Sequence, residues 1–217
     1  MLATLDYHIH SYYSYDSLNK PIEILKTANL KGINSVSVTD HNSLKGSLEI
    51  SKIKEFENII RIKGIEIKSR TGDIIVLGLQ EEINSKELIE ILDICKSNDY
   101  VSILPHPFRY FSRKVQFKKE IIQKVDLIEV YNARNTKRAN LSALELTKIF
   151  YKSYTGGSDA HLINEIGNAL TYVEVEDLNE NNIIKALKKG KCYGRIIKYS
   201  SIFNRLASIA IQSIKRI

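Results

Sequence analysis

Short apolar runs alternate with amphipathic segments along most of the chain, which is the pattern of an α/β protein. The apolar runs have the length of strands, are rich in Val, Ile and Tyr, and end in polar turns. They predict strands at residues 1–7, 35–39, 59–67, 74–79, 100–104, 125–132, 152–155, 169–175 and 191–195.

The segments between these strands carry apolar residues at helical spacing. They predict helices at residues 21–30, 44–55, 139–150 and 179–189, with a further helix after a Ser85 cap. Pro21 stands at a first helical position and Gly32 where that helix should stop. Thr71-Gly72-Asp73 reads as a turn, so the two strands around it are expected to form a hairpin inside the alternating series.

The chain is long enough for one sizeable core. It has 217 residues, of which 43% are hydrophobic. We therefore expect a single domain over residues 1–200, followed by an amphipathic helix over 201–217. If the strands are parallel and close into a barrel, their C-terminal ends share one face, where barrel enzymes keep their chemistry.

The tail carries one apolar stripe at helical spacing, formed by Phe203, Ala207, Ala210, Ile214 and Ile217. We expect this helix to seal the barrel or dock on its side. Because Arg205, Lys215 and Arg216 lie nearby, a membrane surface or a partner protein is the alternative.

Charge and cysteine content indicate which partners and which cellular compartment to expect. The formal charge of +7 favours acidic partners such as phosphate esters or nucleic acid, although solvated lysines account for it equally well. Cys95 and Cys192 form no CxxC motif or disulfide framework, and Cys95 falls on a packed helical face. With no signal peptide and no apolar run of transmembrane length, we expect a cytoplasmic protein that does not enter the membrane.

All five histidines follow predicted strands. His8 and His10 are two residues apart and would project to one side of the first strand, and the polar loop after them brings Asp16 back towards the same place. An isolated His-x-His is more often structural, but the remaining histidines repeat the pattern. They are His41, His106 and His161.

Carboxylates complete a plausible metal site. Glu66 lies between two isoleucines, where an unpaired carboxylate would be costly, and Asp159 repeats the i, i+2 spacing with His161. Eight such groups exceed one tetrahedral site and suit two or three divalent ions, with mixed ligation favouring Zn, Mn or Fe over Mg. Asp16, Glu66 and Asp159 would place three negative charges against at least four positive ones, which suits an anionic substrate.

These motifs resemble the PHP (polymerase and histidinol phosphatase) family of metal-dependent phosphoesterases. The matching segments are Asp6-Tyr7-His8-Ile9-His10-Ser11, Thr39-Asp40-His41-Asn42, Gly64-Ile65-Glu66-Ile67, Pro105-His106-Pro107 and Gly157-Ser158-Asp159-Ala160-His161. The resemblance covers about residues 3–195. It implies a distorted (β/α)7 barrel, a bi- or trinuclear centre in which Glu66 bridges metals, and hydrolysis of phosphate esters by metal-bound hydroxide.

The chain departs from many relatives at two points. Where they carry a histidine in the strand after the glutamate, this chain has Asp73 or Ile75, so either Asp73 replaces that ligand or a third ion is weak or absent. Some relatives that act on nucleotides carry a helical insert between the third and fourth motifs, but 52 residues separate His106 from Asp159 here. We therefore expect a more open site.

Arg109 and Arg134 each follow a predicted strand and are candidate bidentate clamps for phosphate oxygens, although a solvated surface position is an equal alternative for each. Asp40 is expected to orient His41. The expected catalytic residues are His8, His10, Glu66, Asp159, Arg109 and Arg134. The expected metal ligands are His8, His10, Asp16, His41, Glu66, Asp73, His106, Asp159 and His161.

The predicted function is hydrolysis of small phosphomonoesters, nucleotides or short oligonucleotides. Two rivals remain open. A metal-dependent amidohydrolase would need a similar centre with a pocket for a carbonyl. A non-catalytic nucleic-acid-binding barrel subunit would keep the basic surface but should have lost ligands.

Overall fold

Ten strands form two five-stranded sheets in the computed structural model, which describes residues 1–109 and 119–215. The strands are β1 (Leu2–Ile9), β2 (Ser35–Val38), β3 (Ile60–Arg61), β4 (Gly64–Lys68), β5 (Asp73–Leu77), β6 (Val101–Leu104), β7 (Leu127–Asn132), β8 (Tyr154–Gly157), β9 (Ala169–Glu174) and β10 (Cys192–Ile196). One sheet has the order β10-β9-β1-β2-β3 and the other the order β4-β5-β6-β7-β8.

Helices connect most of these strands. They are α1 (Pro21–Leu30), α2 (Lys45–Lys52), α3 (Leu88–Ser97), α4 (Lys119–Lys124), α5 (Lys137–Phe150), α6 (Glu180–Lys188) and α7 (Ile202–Lys215), with a short 3₁₀ helix at Ile163–Glu165. Pro21 opens α1, where its missing N–H would have had no helical partner. Asn179 caps α6 by accepting a bond from the Asn182 amide.

Strand pairing is mixed. The pairs β1–β2, β2–β3, β6–β7 and β7–β8 are parallel, whereas β4–β5, β5–β6, β1–β9 and β9–β10 are antiparallel. The predicted α/β class and the hairpin around Gly72 are confirmed. The ladders of the described strands do not close into one barrel, but two isolated bridges, Ile9–Ala160 and His41–Glu66, join the sheets.

The structure corrects two local predictions. Residues 59–67 form two strands rather than one, because β3 pairs with β2 in the first sheet while β4 pairs with β5 in the second. Ser85 is not the N-cap of α3, because that helix begins at Leu88 after Glu87; the Ser85 hydroxyl accepts from the Glu87 amide at 3.1 Å and donates to Glu90 Oε2 at 2.7 Å. The division of residues 59–67 depends on strand partners that the local pattern does not contain.

A shared core holds the two sheets together. One buried cluster joins Leu5 and Tyr7 of β1 with Ile75 of β5, Ile103 of β6 and Val173 of β9. Cys95 packs in a second cluster and neither cysteine is in a disulfide, as predicted.

Helix α7 does not pack through its predicted apolar stripe. Phe203 and Ile214 are 78% and 71% exposed, and the buried residue of this helix is Ser208. The stripe residue Ile217 and the neighbouring Arg216 lie outside the described residues. None of the helices described has the length and apolarity that crossing a bilayer requires.

Candidate metal centre

Eight of the nine predicted ligands come together, at or after the ends of four strands and within a fifth. His8 lies near the end of β1, and Glu66 lies within β4. The others follow strands: His10 after β1, Asp16 in the loop before α1, His41 after β2, His106 after β6, and Asp159 and His161 after β8.

Two carboxylate oxygens lie at the middle of the cluster. Glu66 Oε2 is 3.6 Å from His8 Nε2, 3.4 Å from His10 Nε2 and 3.0 Å from His41 Nδ1. Asp159 Oδ1 is 3.6 Å from His8 Nε2, 3.4 Å from His10 Nε2 and 3.5 Å from His161 Nδ1. Both imidazoles of the His-x-His pair therefore face both carboxylates.

Asp16 and His106 extend the cluster through different partners. Asp16 Oδ2 is 3.0 Å from His161 Nε2 and 3.4 Å from His41 Nε2. His106 Nε2 is 3.1 Å from Glu66 Oε1. Three overlapping groups have the spacing to hold metal ions: His10 with His41 and His161, His8 with Glu66 and His106, and His8 with His10 and Asp159.

Several buried polar atoms at this centre have no hydrogen-bond partner. They are His8 Nε2, His10 Nε2, Asp16 Oδ1, His41 Nδ1, Glu66 Oε2 and Asp159 Oδ1. Leaving one such group unsatisfied costs about 1–3 kcal/mol, so their convergence calls for a further partner. Imidazole nitrogens and carboxylate oxygens are ligands for divalent transition metals, and these residues fit that role.

Mutual charges shift the titration of these groups. Burial opposes protonation of His8 and His41, but Glu129 and Glu66 near His8, and Glu66 and Asp16 near His41, raise the pKa of each imidazole to about 9. Burial and the neighbouring His161 and His41 lower the pKa of His10 well below its usual value. Although burial alone would raise it, His41, His106 and His8 hold the pKa of Glu66 well below normal.

Glu129, which the sequence interpretation did not single out, contacts two of the ligand candidates, His8 and His106. Its Oε1 accepts from the Tyr7 hydroxyl at 2.9 Å and lies 2.8 Å from His8 Nδ1. Its Oε2 accepts from the His106 amide and from Asn132 Nδ2, both at 2.9 Å. Glu129 lies between Ile128 and Val130, the same sequence signal that identified Glu66, so it could have been found.

Gly157 makes room for this arrangement. A Cβ atom at Gly157 would lie 2.3 Å from Glu129 Oε1 and 2.6 Å from His8 Cβ, closer than real atoms approach. The glycine before the Ser158-Asp159 segment is therefore required by the contact between His8 and Glu129.

Two ligand candidates have left-handed backbones. His106 has φ 30° and Asp159 has φ 54°, a region that residues other than glycine seldom occupy. Such conformations persist where surrounding contacts hold them, and they are enriched at functional sites.

Asp40 does not orient His41, contrary to the prediction. Its carboxylate accepts from the Ser11 amide and hydroxyl, each at 2.6 Å, and from the Ser14 hydroxyl at 2.9 Å. Ser14 Oγ in turn lies 3.2 Å from His10 Nδ1 and accepts from the His41 amide at 3.1 Å. The Asp40 carboxylate therefore faces the loop that follows β1, and Ser14 links it to His10 and to the His41 backbone.

The two arginines differ in position. Arg109 is 20% exposed and pairs with Asp159 Oδ2, on the opposite side of that carboxylate from the cluster. Arg134 is nearly buried, and its guanidinium bonds Glu165 at 2.9 Å and the Ser208 hydroxyl at 2.6 Å. Arg134 is therefore already engaged by α7 and by a buried carboxylate, rather than projecting as a clamp.

Asp73 does not join the cluster. It begins β5 opposite Lys68 in the ladder, and it belongs to none of the three ligand groups found among the described residues. Ile75 faces Glu66 across the same ladder, because the hairpin register places an apolar residue there.

Comparison with other proteins supports the family resemblance. A family model described as PHP-associated matches residues 137–192. An uncharacterized protein of Methanocaldococcus jannaschii is 34% identical over 183 residues, which cover 81% of this chain and 71% of that protein.

Solved structures share the fold. A two-domain protein from Bacteroides vulgatus, described as containing a predicted PHP-like metal-dependent phosphoesterase, aligns with a TM-score of 0.76 at 18% identity over 90% of this chain. The lesion-specific endonuclease EndoQ of Pyrococcus furiosus aligns with a TM-score of 0.62 at 22% identity over 89% of this chain. The present chain spans 65% and 57% of those two chains, respectively.

Proposed function

The chain belongs to the PHP family, and we propose that it is a metal-dependent phosphoesterase. The observation that carries this proposal is the set of buried imidazole nitrogens and carboxylate oxygens that converge without hydrogen-bond partners. Divalent ions held there would supply a Lewis acid and activate water for attack on phosphorus. The proposed ions are two or three in number, from Zn, Mn and Fe.

The chain's own residues have separate tasks in this proposal. His8, His10, Glu66, Asp159, Asp16, His41, His106 and His161 hold the ions. Glu129 fixes the orientation of His8 through Nδ1, so that Nε2 points at the cluster. Arg109 pairs with Asp159 Oδ2. It stays a predicted contact for a phosphate oxygen, because the N–H groups of a guanidinium can bind a phosphate in bidentate fashion.

Small phosphomonoesters, nucleotides and short oligonucleotides are the proposed substrates. The formal charge of +7 favours such anions. A related endonuclease Q structure contains a 27-mer duplex with an abasic lesion at its active site, which supports including nucleic acids in a substrate screen.

The closure of the sheets into a barrel and the division of the chain into a domain and a terminal helix are also proposals. We propose that residues 1–200 form one distorted (β/α)7 barrel and that the helix within 201–217 packs on it. The core shared by the two sheets and the bridges at Ile9–Ala160 and His41–Glu66 support the barrel. The bond from Arg134 to Ser208 supports the packing of α7.

Metal analysis followed by a substrate screen tests the function. Metal-depleted protein reloaded with Mn or Zn should bind at least two ions per chain and hydrolyse a phosphomonoester, a phosphodiester or a short oligonucleotide. Asp159→Asn and His10→Ala should abolish turnover without unfolding the protein. Glu145→Gln, which alters the exposed face of α5, should leave turnover unchanged. Hydrolysis of a cyclic amide without any phosphate ester would instead identify an amidohydrolase.

A further inference from the structure

Lys68 is the last residue of β4, two positions after Glu66. Side chains two residues apart on a strand lie on the same side of the sheet. The residue that follows the central carboxylate on that side is therefore a cation. The sequence interpretation assigned Lys68 no role.

Tyr15 connects Lys68 to the metal centre. The Tyr15 ring stacks on the His41 imidazole, with 4.8 Å between ring centroids and an angle of 15° between planes. Lys68 Nζ lies 4.6 Å from the centroid of the Tyr15 ring and donates to the Tyr15 hydroxyl. The ammonium group is thus held by the tyrosine whose ring stacks on His41.

This side of the centre meets solvent, as does the side at Arg109. His8, His10 and Asp159 have no exposed surface, whereas Tyr15, His41 and Lys68 are partly exposed. A substrate approaching His41 from solvent would meet the Tyr15 ring and the Lys68 ammonium group.

Lys68 also differs from the nearby arginines in its charge balance. Arg134 pairs with Glu165 and Arg109 with Asp159, but Lys68 has no carboxylate within 4.0 Å among the described residues. A lysine side chain carries its positive charge at neutral pH.

The charge of the centre makes an extra cation useful. Four carboxylates, those of Asp16, Glu66, Asp159 and Glu129, would offset the charge of two divalent ions, so attraction for an anionic substrate depends on the cations around them. Arg109 and Lys68 are both partly exposed, but Arg109 pairs with Asp159, whereas Lys68 has no carboxylate within 4.0 Å among the described residues.

We propose that Lys68, oriented by Tyr15, binds a non-bridging oxygen of the substrate phosphate beside His41 and favours phosphomonoester dianions over phosphodiesters. The preference follows because one cation attracts a dianion about twice as strongly as a monoanion at the same distance. This inference rests on the proposed phosphoesterase function and assigns its substrate class.

Calorimetric binding of inorganic phosphate to Mn-saturated protein tests the inference without requiring turnover. Lys68→Met should weaken phosphate binding about tenfold or more, the scale of a hydrogen bond to a charged group. Lys68→Arg should retain most of the affinity, and Tyr15→Phe should lose part of it. Lys63→Met is the matched control, because Lys63 precedes the opposite end of β4 and contacts Gln80.

Kinetic measurements on matched monoester and diester substrates test the proposed preference for monoesters. Lys68→Met should lower kcat/KM for the monoester more than for the diester, with bound Mn unchanged. Unchanged phosphate affinity, equal losses on both esters or a loss of Mn would each overturn the inference. If wild-type protein hydrolyses no ester but Lys68→Met still weakens phosphate binding, the proposed function fails while the phosphate site stands.

Discussion

Glu129 Oε1 lies 2.8 Å from His8 Nδ1, and both side chains are fully buried. The same carboxylate accepts from Tyr7, Asn132 and the His106 amide, so four contacts fix its position. A histidine held in this way presents one defined nitrogen to a metal, and partners of this kind are worth about 10–100-fold in metal affinity.

We therefore expect Glu129→Gln to lower metal affinity about 10–100-fold, because the amide can no longer accept through both of its ends. Titration of metal-depleted protein with Mn or Zn measures this effect. Glu145→Gln, which alters an exposed ion pair with Lys148, is the control. Equal metal affinity in Glu129→Gln and wild-type protein would show that His8 needs no such support.

Asp73→Ala should leave metal content and activity unchanged, since Asp73 lies outside the ligand groups. This expectation replaces the prediction from sequence, in which Asp73 serves as a possible third-metal ligand. Elemental analysis of Asp73→Ala beside Asp159→Asn makes the comparison. A loss of about one ion in Asp73→Ala would restore Asp73 as a ligand.

Arg134→Met should destabilise the fold rather than weaken substrate binding. The Arg134 side chain is 10% exposed and its partner Glu165 is fully buried, so removing the arginine leaves an uncompensated charge. Breaking a buried pair costs about 3–5 kcal/mol, and Arg134→Met with Glu165→Gln should recover part of that loss. Urea unfolding measures both. A normal unfolding free energy with a raised KM would instead support the phosphate clamp.

Asp6 should make the protein less stable as pH rises from about 4 to 6. Burial raises the pKa of Asp6 from 3.8 to about 6, despite bonds from the Gly167 and Ser158 amides. The folded state therefore holds a proton that the unfolded state has released in this interval, so the contribution of Asp6 to stability falls with pH. Asp6→Asn should remove this decrease in stability between about pH 4 and 6. If Tm varies with pH to the same extent in both proteins, Asp6 makes no such contribution.

Lys215→Met should loosen the loop that carries Asp16. Lys215 Nζ donates to the carbonyls of Tyr12, Ser14 and Ser17, the last two at 2.6 and 3.1 Å. Hydrogen exchange of the amides between Tyr12 and Ser17 should accelerate in this variant, whereas exposed Lys189→Met should leave it unchanged. Equal exchange rates would mean that α7 does not restrain the loop.

Local chemistry made much of this protein readable from its sequence. Pro21 and the periodicity after it predicted α1 at its observed bounds, because a helix start depends on nearby residues. The histidines were recognisable since polar residues after buried strands have few structural uses, and eight of the nine predicted ligands do meet. Glu129 carried the same signal as Glu66 and was overlooked.

Tertiary structure decided what depends on partners distant in the chain. Residues 59–67 divide between two sheets because β2 and β5 offer separate edges for pairing. Arg134 and Arg109 both follow strands, but the buried Glu165 engages one and Asp159 the other. Lys68 had no assigned role in the sequence, and only its contact with Tyr15, 53 positions away, links it to His41. The sequence specifies which charged groups are available. Long-range packing sets the distances between them, and charge pairing depends on those distances.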